Sequence, residues 1–141
     1  MPLTIGINHV TTSTADLDRL VRFYAEMFDA RKVFDGAATG DHARMAIVEL
    51  GGTRYLKIVE DRAASAEPGT PAPIDPAATE QFGLAVESLP ALRELRGRMV
   101  AAGAHVGAIE RLPTQWILRF TDPDGTLLQI SAHAQPGDAA G

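Results

Sequence analysis

The chain has 141 residues, of which 45% are hydrophobic and 22% are charged, and this balance is typical of a soluble globular protein with one core or two closely joined halves. It contains no cysteine, which excludes a disulfide scaffold, a thiolate metal site and a cysteine nucleophile. The formal net charge of -5 argues against a nucleic-acid-binding surface, and no apolar run approaches the roughly 20 residues of a membrane span.

Two further features of the sequence favour a bacterial cytoplasmic protein. The N-terminal segment lacks a basic region before an apolar stretch, so no signal peptide is predicted. Among the 13 basic residues only Lys32 and Lys57 are lysines, and the arginine bias, together with the many alanines, indicates a GC-rich bacterial gene. Because the net charge is negative and no long apolar run is present, neither nucleic acid nor a membrane is an expected partner.

The first half of the chain predicts one helix and four strands. A strand over 5–12 is rich in β-branched residues, and an amphipathic helix with an apolar stripe from Leu17 to Phe28 follows it. Ser13 and Asp16 have the spacing of a capping box at the start of that helix. Three further strands are predicted near 32–34, 44–50 and 53–60.

The second half repeats the same order of elements. A strand over 81–87 alternates apolar with small or polar residues. Ser88 is the predicted N-cap of a helix that has Pro90 in its first turn and ends at Gly103. The turn residues of 122–125 precede the last strand. The remaining strands are predicted near 105–110, 115–120 and 126–132.

This repetition predicts two modules of the type βαβββ. The predicted boundaries are 1–60 for the first module, 61–79 for a linker rich in Pro and Ala, 80–134 for the second module and 135–141 for a frayed tail. Neither module is able to bury both faces of a four-stranded sheet alone. We therefore expect the sheets to pair, within one chain or between two copies.

Three stretches of the sequence resemble a known family. They are Ile7-Asn8-His9-Val10, Phe82-Gly83-Leu84-Ala85-Val86, and the run from Phe120 to Ile130 with its Asp-Pro-Asp-Gly turn. Over residues 4–133 the chain resembles the vicinal oxygen chelate superfamily, which includes glyoxalase I, bleomycin-resistance proteins, methylmalonyl-CoA epimerase and extradiol dioxygenases. The resemblance implies an α+β fold in which two βαβββ modules with curved mixed sheets form a cup, and it also implies a homodimer.

In that superfamily, metal ligands project into the cup from the first and last strand of each module. By position, these sites fall on His9, Lys57, Gln81 and Gln129. Metal-dependent members usually carry a carboxylate, His or Gln at the position of Lys57 and Glu at the position of Gln129. The ammonium of Lys57 would instead repel a divalent ion by on the order of a few kcal/mol. We therefore predict no metal cofactor. The alternative is Fe, Mn, Zn or Ni bound by His9, Gln81 and Gln129.

The fourth strand supplies a candidate anion-binding group. If the apolar Leu56 and Ile58 pack on the helix, the residues that alternate with them face the cup. Tyr55 and Lys57 are such residues, and the ammonium would hold a carboxylate, phenolate or enolate of a ligand. The alternative is an edge strand with Lys57 in water as a guard against edge pairing. His9 is either a cup-lining hydrogen-bonding group or a histidine that the strand tolerates.

The other candidates are two amides and two aromatic residues. Gln81 and Gln129 suit the orientation of a polar ligand group rather than proton transfer, because an amide does not titrate. Trp116 and Tyr55 are either flat walls for a ligand ring or members of the core. The predicted ligand-binding set is His9, Tyr55, Lys57, Gln81, Trp116 and Gln129.

These residues favour one function and leave two alternatives. The leading hypothesis is a glyoxalase/bleomycin-resistance-like domain that binds a small aromatic or anionic molecule without a metal. The first alternative is a metal-dependent lyase, isomerase or dioxygenase, or a metal-free enzyme in which His9 is the general base and Lys57 stabilises an enolate. The second alternative is a domain whose role is assembly.

Overall fold

A computed structural model describes residues 2–61, 74 and 79–138 of the chain. The chain divides into two units, Met1–Glu67 and Pro68–Gly141, and the division falls within the predicted linker. Most of that linker lies outside the described residues, as do residues 139–141 of the predicted tail. Each unit contains one helix that packs on one four-stranded sheet.

The first unit has the element order βαβββ. Its sheet order is β1-β4-β3-β2, in which β1 is parallel to β4 and the other pairs are antiparallel. Because the first and last strands are parallel neighbours, the chain between them must cross over, and the helix covers one face of the sheet. The elements are β1 (His9–Thr14), α1 (Leu17–Phe28), β2 (Arg31–Gly36), β3 (Met45–Gly51) and β4 (Arg54–Glu60).

The second unit repeats this plan. Its sheet order is β5-β8-β7-β6, again with a parallel pair formed by the first and last strands. The elements are β5 (Gly83–Ala85), α2 (Leu89–Ala101), β6 (Glu110–Arg111), β7 (Gln115–Thr121) and β8 (Leu127–His133). The predicted α+β fold of two βαβββ modules with mixed sheets is confirmed.

Helix α1 follows the predicted apolar stripe but begins differently from the prediction. Asp16 itself is the N-cap, and its Oδ1 accepts a hydrogen bond of 3.1 Å from the Arg19 backbone N–H. The predicted capping box is wrong, because β1 continues to Thr14 and keeps Ser13 in the strand. Asp29 is the C-cap that follows Phe28; it has a φ of 56°, and its backbone N–H donates a hydrogen bond to Tyr24 O.

Helix α2 begins and ends as the sequence predicts. Ser88 Oγ accepts a hydrogen bond of 3.3 Å from the Ala91 backbone N–H, and Pro90 lies in the first turn. Gly103, with a φ of 75°, follows the last turn. Neither helix of the described residues has the length and apolar character that a membrane crossing requires.

Three predicted strands are clearly shorter in the structure. Strand β5 covers only Gly83–Ala85 rather than 81–87. Strand β1 begins at His9 rather than at residue 5, because Gly6 has a φ of 109° and interrupts the extended backbone before it. Strand β6 covers only Glu110–Arg111. Before it, Val106 forms an isolated bridge to Phe120, and Gly107 follows, where the absent side chain weakens the strand.

The core of the first unit lies between α1 and one face of its sheet. Leu56 and Ile58 of β4 are fully buried on this face, as are Ala46 and Val48 of β3. Helix α1 completes the core with Leu17, Leu20, Tyr24 and Met27. Because successive strand residues point to opposite sides, the residues between these buried positions lie on the face away from the helix.

Candidate ligand pocket

The face of the first sheet that is turned away from α1 carries a row of chemically useful side chains. His9 of β1 lies opposite Tyr55 of β4, and Thr11 lies opposite Lys57. On the other side of β4, Ile47 of β3 lies opposite Lys57. The pairing of three strands therefore brings an imidazole, a phenol, an ammonium and an apolar side chain to one surface.

A pocket of about 420 Å³ opens on this surface. It is lined by Asn8, His9, Val33, Ile47, Tyr55 and Lys57. Three of the predicted ligand-binding residues, His9, Tyr55 and Lys57, thus share one pocket within the first unit. The volume lies within the usual range for small-molecule sites.

The apolar part of the pocket depends on an irregularity in β2. The pairing of β2 with β3 shifts by one residue between Lys32 and Phe34, so Val33 forms a bulge. A bulge re-aims a side chain relative to the regular alternation of a strand, and Val33 lines the pocket with Ile47 and the ring of Tyr55. Val33 and Ile47 were not among the predicted site residues, because a bulge and a strand register carry no local sequence signal here.

Lys57 is half-buried in this pocket, and none of the residues 2–61, 74 and 79–138 forms an ion pair with it. Lys32, by contrast, donates a hydrogen bond of 2.9 Å to Asp35 Oδ2. Glu49, whose backbone pairs with that of Tyr55, has its carboxylate 3.5 Å from Arg31. The ammonium of Lys57 is therefore available to an anionic ligand.

His9 lies at the exposed rim of the pocket and is held by its neighbour in the sequence. His9 Nδ1 is 2.8 Å from Asn8 Oδ1. Since an amide oxygen only accepts hydrogen bonds, Nδ1 is the donor in this contact. Asn8 was not among the predicted site residues, although it stands directly before His9 in the sequence.

The other two predicted polar residues, Gln81 and Gln129, belong to the second unit. Gln129 of β8 lies opposite Gly83 of β5, and the Gln81 backbone N–H donates a hydrogen bond of 2.9 Å to Leu127 O. Arg119 of β7 is the partner of Gln129 on the other side. Its side chain pairs with Glu80 at 2.8 Å, so this face carries the amide of Gln129 beside a neutralised ion pair.

Trp116 does not lie with Gln129. In β7 it alternates with Ile117 and points to the same side as Leu118, whose partner Ile130 is fully buried in the core. Trp116 is only 4% exposed, and its Nε1 donates a hydrogen bond of 2.9 Å to Asp138 Oδ2. Of the two predicted alternatives, the structure therefore supports the core residue and not the ligand wall.

The family resemblance implies a divalent metal, and the donor set does not fit one. The first unit offers an imidazole and an ammonium, and the second offers the amides of Gln81 and Gln129, so none of the four positions supplies a carboxylate. The Glu60 carboxylate accepts a hydrogen bond of 3.1 Å from the Leu17 backbone N–H at the start of α1, on the other side from Lys57. Within the described part of the chain, no group of three His, Asp or Glu side chains is arranged to hold a metal.

Several solved structures share this fold over nearly the whole chain. A glyoxylase/bleomycin resistance protein/dioxygenase domain from Frankia sp. EAN1pec has 28% identity and a TM-score of 0.75, with 93% of this chain and 99% of that chain covered. TnmS3, an antibiotic binding protein from Streptomyces sp. CB03234, has 17% identity and a TM-score of 0.69, with 95% and 100% covered.

A third similar structure contains a metal ion. It is a mutant of FosX, the genomically encoded fosfomycin resistance protein from Listeria monocytogenes, complexed with Mn(II) and 1S,2S-dihydroxypropylphosphonic acid. It has 14% identity and a TM-score of 0.69, with 94% of this chain and 95% of that chain covered.

The sequence itself establishes the family. No curated protein matches the chain at a significant level. Residues 6–130, however, match the family profile of the Glyoxalase/Bleomycin resistance protein/Dioxygenase superfamily, and this range includes both βαβββ modules almost entirely. The chain therefore belongs to the Glyoxalase/Bleomycin resistance protein/Dioxygenase superfamily.

Proposed function

We propose that this protein binds a small organic anion with an aromatic or apolar body in the pocket of the first unit, without a metal ion. The observation that carries the proposal is the Lys57 ammonium, which has no ion-pair partner among the described residues and lies between apolar walls. A carboxylate placed there would neutralise the ammonium, and Val33, Ile47 and Tyr55 would contact the body of the ligand.

The energetics favour such a ligand. A hydrogen bond to a charged group contributes about 1.5–3 kcal/mol, and this contribution is larger in a partly dry pocket than in water. The remaining affinity would come from apolar area removed from water, at roughly 25 cal/mol per Å² before the cost of association. An ammonium with apolar neighbours therefore selects anions that carry a hydrophobic body.

The similar structures support small-molecule binding as the general function. TnmS3 is described as an antibiotic binding protein, and the FosX complex contains a dihydroxypropylphosphonic acid, which is a small anionic molecule. The FosX complex also contains Mn(II), whereas the donor set of this chain favours direct recognition of the anion by Lys57. Lyase, isomerase or dioxygenase chemistry through a metal is the alternative that the experiment below tests.

The test compares two probes and two lysine variants. Phenylacetate carries a ring and a carboxylate, and 2-phenylethanol carries the ring alone. We expect Lys57→Met to weaken phenylacetate binding at least tenfold, about 1.4 kcal/mol, in isothermal titration calorimetry and to leave 2-phenylethanol binding unchanged. Lys32→Met is the matched control, because Lys32 is the other lysine of the chain and pairs with Asp35 outside the pocket.

Two results would contradict the proposal. Equal affinity of the wild type and Lys57→Met for phenylacetate would exclude the ammonium as the anion site. Binding that disappears after dialysis against EDTA and returns with one of Fe, Mn, Zn or Ni would indicate the metal-dependent alternative instead.

A further inference from the structure

Strand β1 forms an open edge of the first sheet, where its only neighbour is β4. The Asn8 backbone oxygen accepts a hydrogen bond of 2.8 Å from the Tyr55 backbone N–H of β4. Because the backbone groups of successive strand residues point to opposite edges, those of His9, Thr11 and Ser13 point away from β4. These three exposed residues form the outer edge of β1, which offers a row of backbone donors and acceptors to another strand.

The other three edge strands of the described residues are protected in ways that β1 is not. Strand β2 carries Arg31, Lys32 and Asp35, and its pairing is interrupted by the bulge at Val33. Strands β5 and β6 cover only three and two residues. Charged side chains, bulges and short length all keep a sheet edge from pairing with another chain. The six residues of β1 include no Lys, Arg, Asp, Glu or Pro, so this edge remains open to pairing.

An exposed apolar arm, residues 3–7, precedes this open edge. Leu3, Ile5 and Ile7 are each at least 78% exposed. A hydrogen bond of 3.5 Å from Arg54 Nη2 to the Ile5 backbone oxygen holds the arm beside the start of β4. Single exposed apolar residues are ordinary on a protein surface, but three within five residues indicate a contact surface.

The distribution of charge favours a second copy of this chain as the occupant of this surface. Residues 1–15 contain no Asp, Glu, Lys or Arg, although the chain as a whole has a net charge of -5. Two copies of an acidic protein repel each other, and this uncharged stretch lets them meet without close like charges. A two-fold contact also places a strand opposite itself, so β1 would bring together threonine and serine hydroxyls, which hydrogen-bond across strand pairs.

We propose that two copies of this chain associate through the outer edge of β1 and the apolar arm. The two β1 strands run antiparallel about a two-fold axis and exchange backbone hydrogen bonds, which joins the first-unit sheets of both copies. The arm of each copy packs against the other copy and loses its exposure to water. This inference goes beyond the proposed function, because the association requires no ligand.

Single cysteines test the strand pairing directly, because the chain contains no cysteine of its own. A two-fold antiparallel pair places one residue opposite its own copy, with Cβ atoms roughly 4.5–5.5 Å apart, which small movements bring within reach of a disulfide. The variants are Val10→Cys, Thr11→Cys, Thr12→Cys and Ser13→Cys. We expect at least one of them to form a disulfide-linked dimer on mild oxidation, seen by non-reducing electrophoresis. Arg31→Cys, at a 73% exposed side chain of the other edge strand, is the control and should stay monomeric under the same denaturing conditions.

The mass in solution tests the arm and the edge separately. By size-exclusion chromatography with light scattering, we expect the wild type to have twice the mass of one chain. Ile5→Asp and Thr11→Pro should each raise the dimer dissociation constant at least tenfold. Thr11→Pro removes an N–H that points away from β4, so the hydrogen bonds to β4 remain. Val100→Asp, at an exposed apolar residue of α2, should leave the mass unchanged.

The outcomes separate this proposal from the proposed function. A wild type with the mass of one chain at every concentration would overturn the association. A dimer that withstands both Ile5→Asp and Thr11→Pro, without a disulfide in the cysteine series, would show that the copies meet elsewhere. Circular dichroism checks that the variants fold, and Ile5→Asp, outside the sheet, decides if Thr11→Pro does not. Phenylacetate binding by the wild type tests the ligand pocket and is scored independently of its mass.

Discussion

Asp122 is a carboxylate buried in the turn between β7 and β8, with only 3% of its surface exposed. Its Oδ1 accepts hydrogen bonds from the backbone N–H groups of Asp124 at 2.9 Å and Thr126 at 3.0 Å. Burial raises the pKa of Asp122 from its ordinary value of 3.8 to about 6, even though these hydrogen bonds act in the opposite direction. The residue that shapes the turn therefore also makes the stability of the fold depend on pH.

The direction of this dependence follows from proton counting. Between pH 3.8 and about 6, the native state keeps a proton that the unfolded chain has released. The contribution of Asp122 to the free energy of unfolding therefore falls as the pH rises through this range, by roughly 2–3 kcal/mol in total. Hydrogen bonds lower the pKa of Asp18, Asp35 and Asp138. Their contributions to the free energy of unfolding are therefore lost as the pH falls through these lowered pKa values.

Asp122→Asn tests this contribution. The amide oxygen accepts the same two hydrogen bonds but does not ionise, so the variant should gain stability relative to the wild type when the pH is raised from about 4.5 to about 7.5. Urea unfolding followed by circular dichroism at both pH values measures the difference. Parallel pH dependences for the two proteins would show that Asp122 ionises in the native state as it does in the unfolded chain.

At the scale of elements, the start of α1 links the helix to the sheet. Asp16 Oδ1 accepts from the Arg19 backbone N–H at 3.1 Å, and Glu60 Oε2 at the end of β4 accepts from the Leu17 backbone N–H at 3.1 Å. Two of the backbone donors that a helix leaves without an internal partner are thus satisfied by carboxylates. The cap also fixes the helix over the buried side of the strand that carries Lys57.

Loss of the Asp16 cap should have a defined cost. We expect Asp16→Ala to lower the free energy of unfolding by about 1 kcal/mol, as for other N-cap carboxylates. Asp41→Ala, in the exposed loop between β2 and β3, removes the same charge without removing a cap and should change stability by less than about 0.5 kcal/mol. Equal losses in the two variants, measured by urea unfolding, would mean that charge and not capping is responsible.

Much of the element order could be predicted from the sequence, because it depends on local patterns. The alternation of Leu56 and Ile58 with Tyr55 and Lys57 is visible in five consecutive residues, and the structure buries the first two against α1. The prediction of the start of α1 was wrong because the side chains of Ser13 and Asp16 are both suited to an N-cap. Only the extent of β1 decides between them.

The pocket was less predictable, because its residues meet through tertiary structure. Ile47 reaches Lys57 by the register of β3 on β4, and Val33 reaches the pocket by a bulge. The face of Trp116 follows from its pairing with Ala132 in the last strand, which strand propensity alone does not give. The contact of Asn8 with His9 depends on side-chain rotation, for which neighbouring positions in a sequence give no rule.

At the scale of the whole molecule, the two units share one plan but differ in charge at equivalent positions. Lys57 and Gln129 each lie on the strand that pairs with the first strand of their unit, on the face away from the helix. The first unit thus presents an ammonium, and the second presents an amide beside the Arg119–Glu80 ion pair. In a chain with a net charge of -5, this difference supports the proposal that an anion binds in the first unit.

The central claim, that an organic anion binds at Lys57, is tested most directly by NMR of protein labelled with carbon-13 at lysine. The chain has only two lysines, and Lys32→Met identifies which of the two side-chain Cε signals belongs to Lys57. On titration with phenylacetate, we expect the Lys57 signal to shift saturably while the Lys32 signal stays in place, and 2-phenylethanol to shift neither. Saturable phenylacetate binding that leaves the Lys57 signal unmoved would contradict the account.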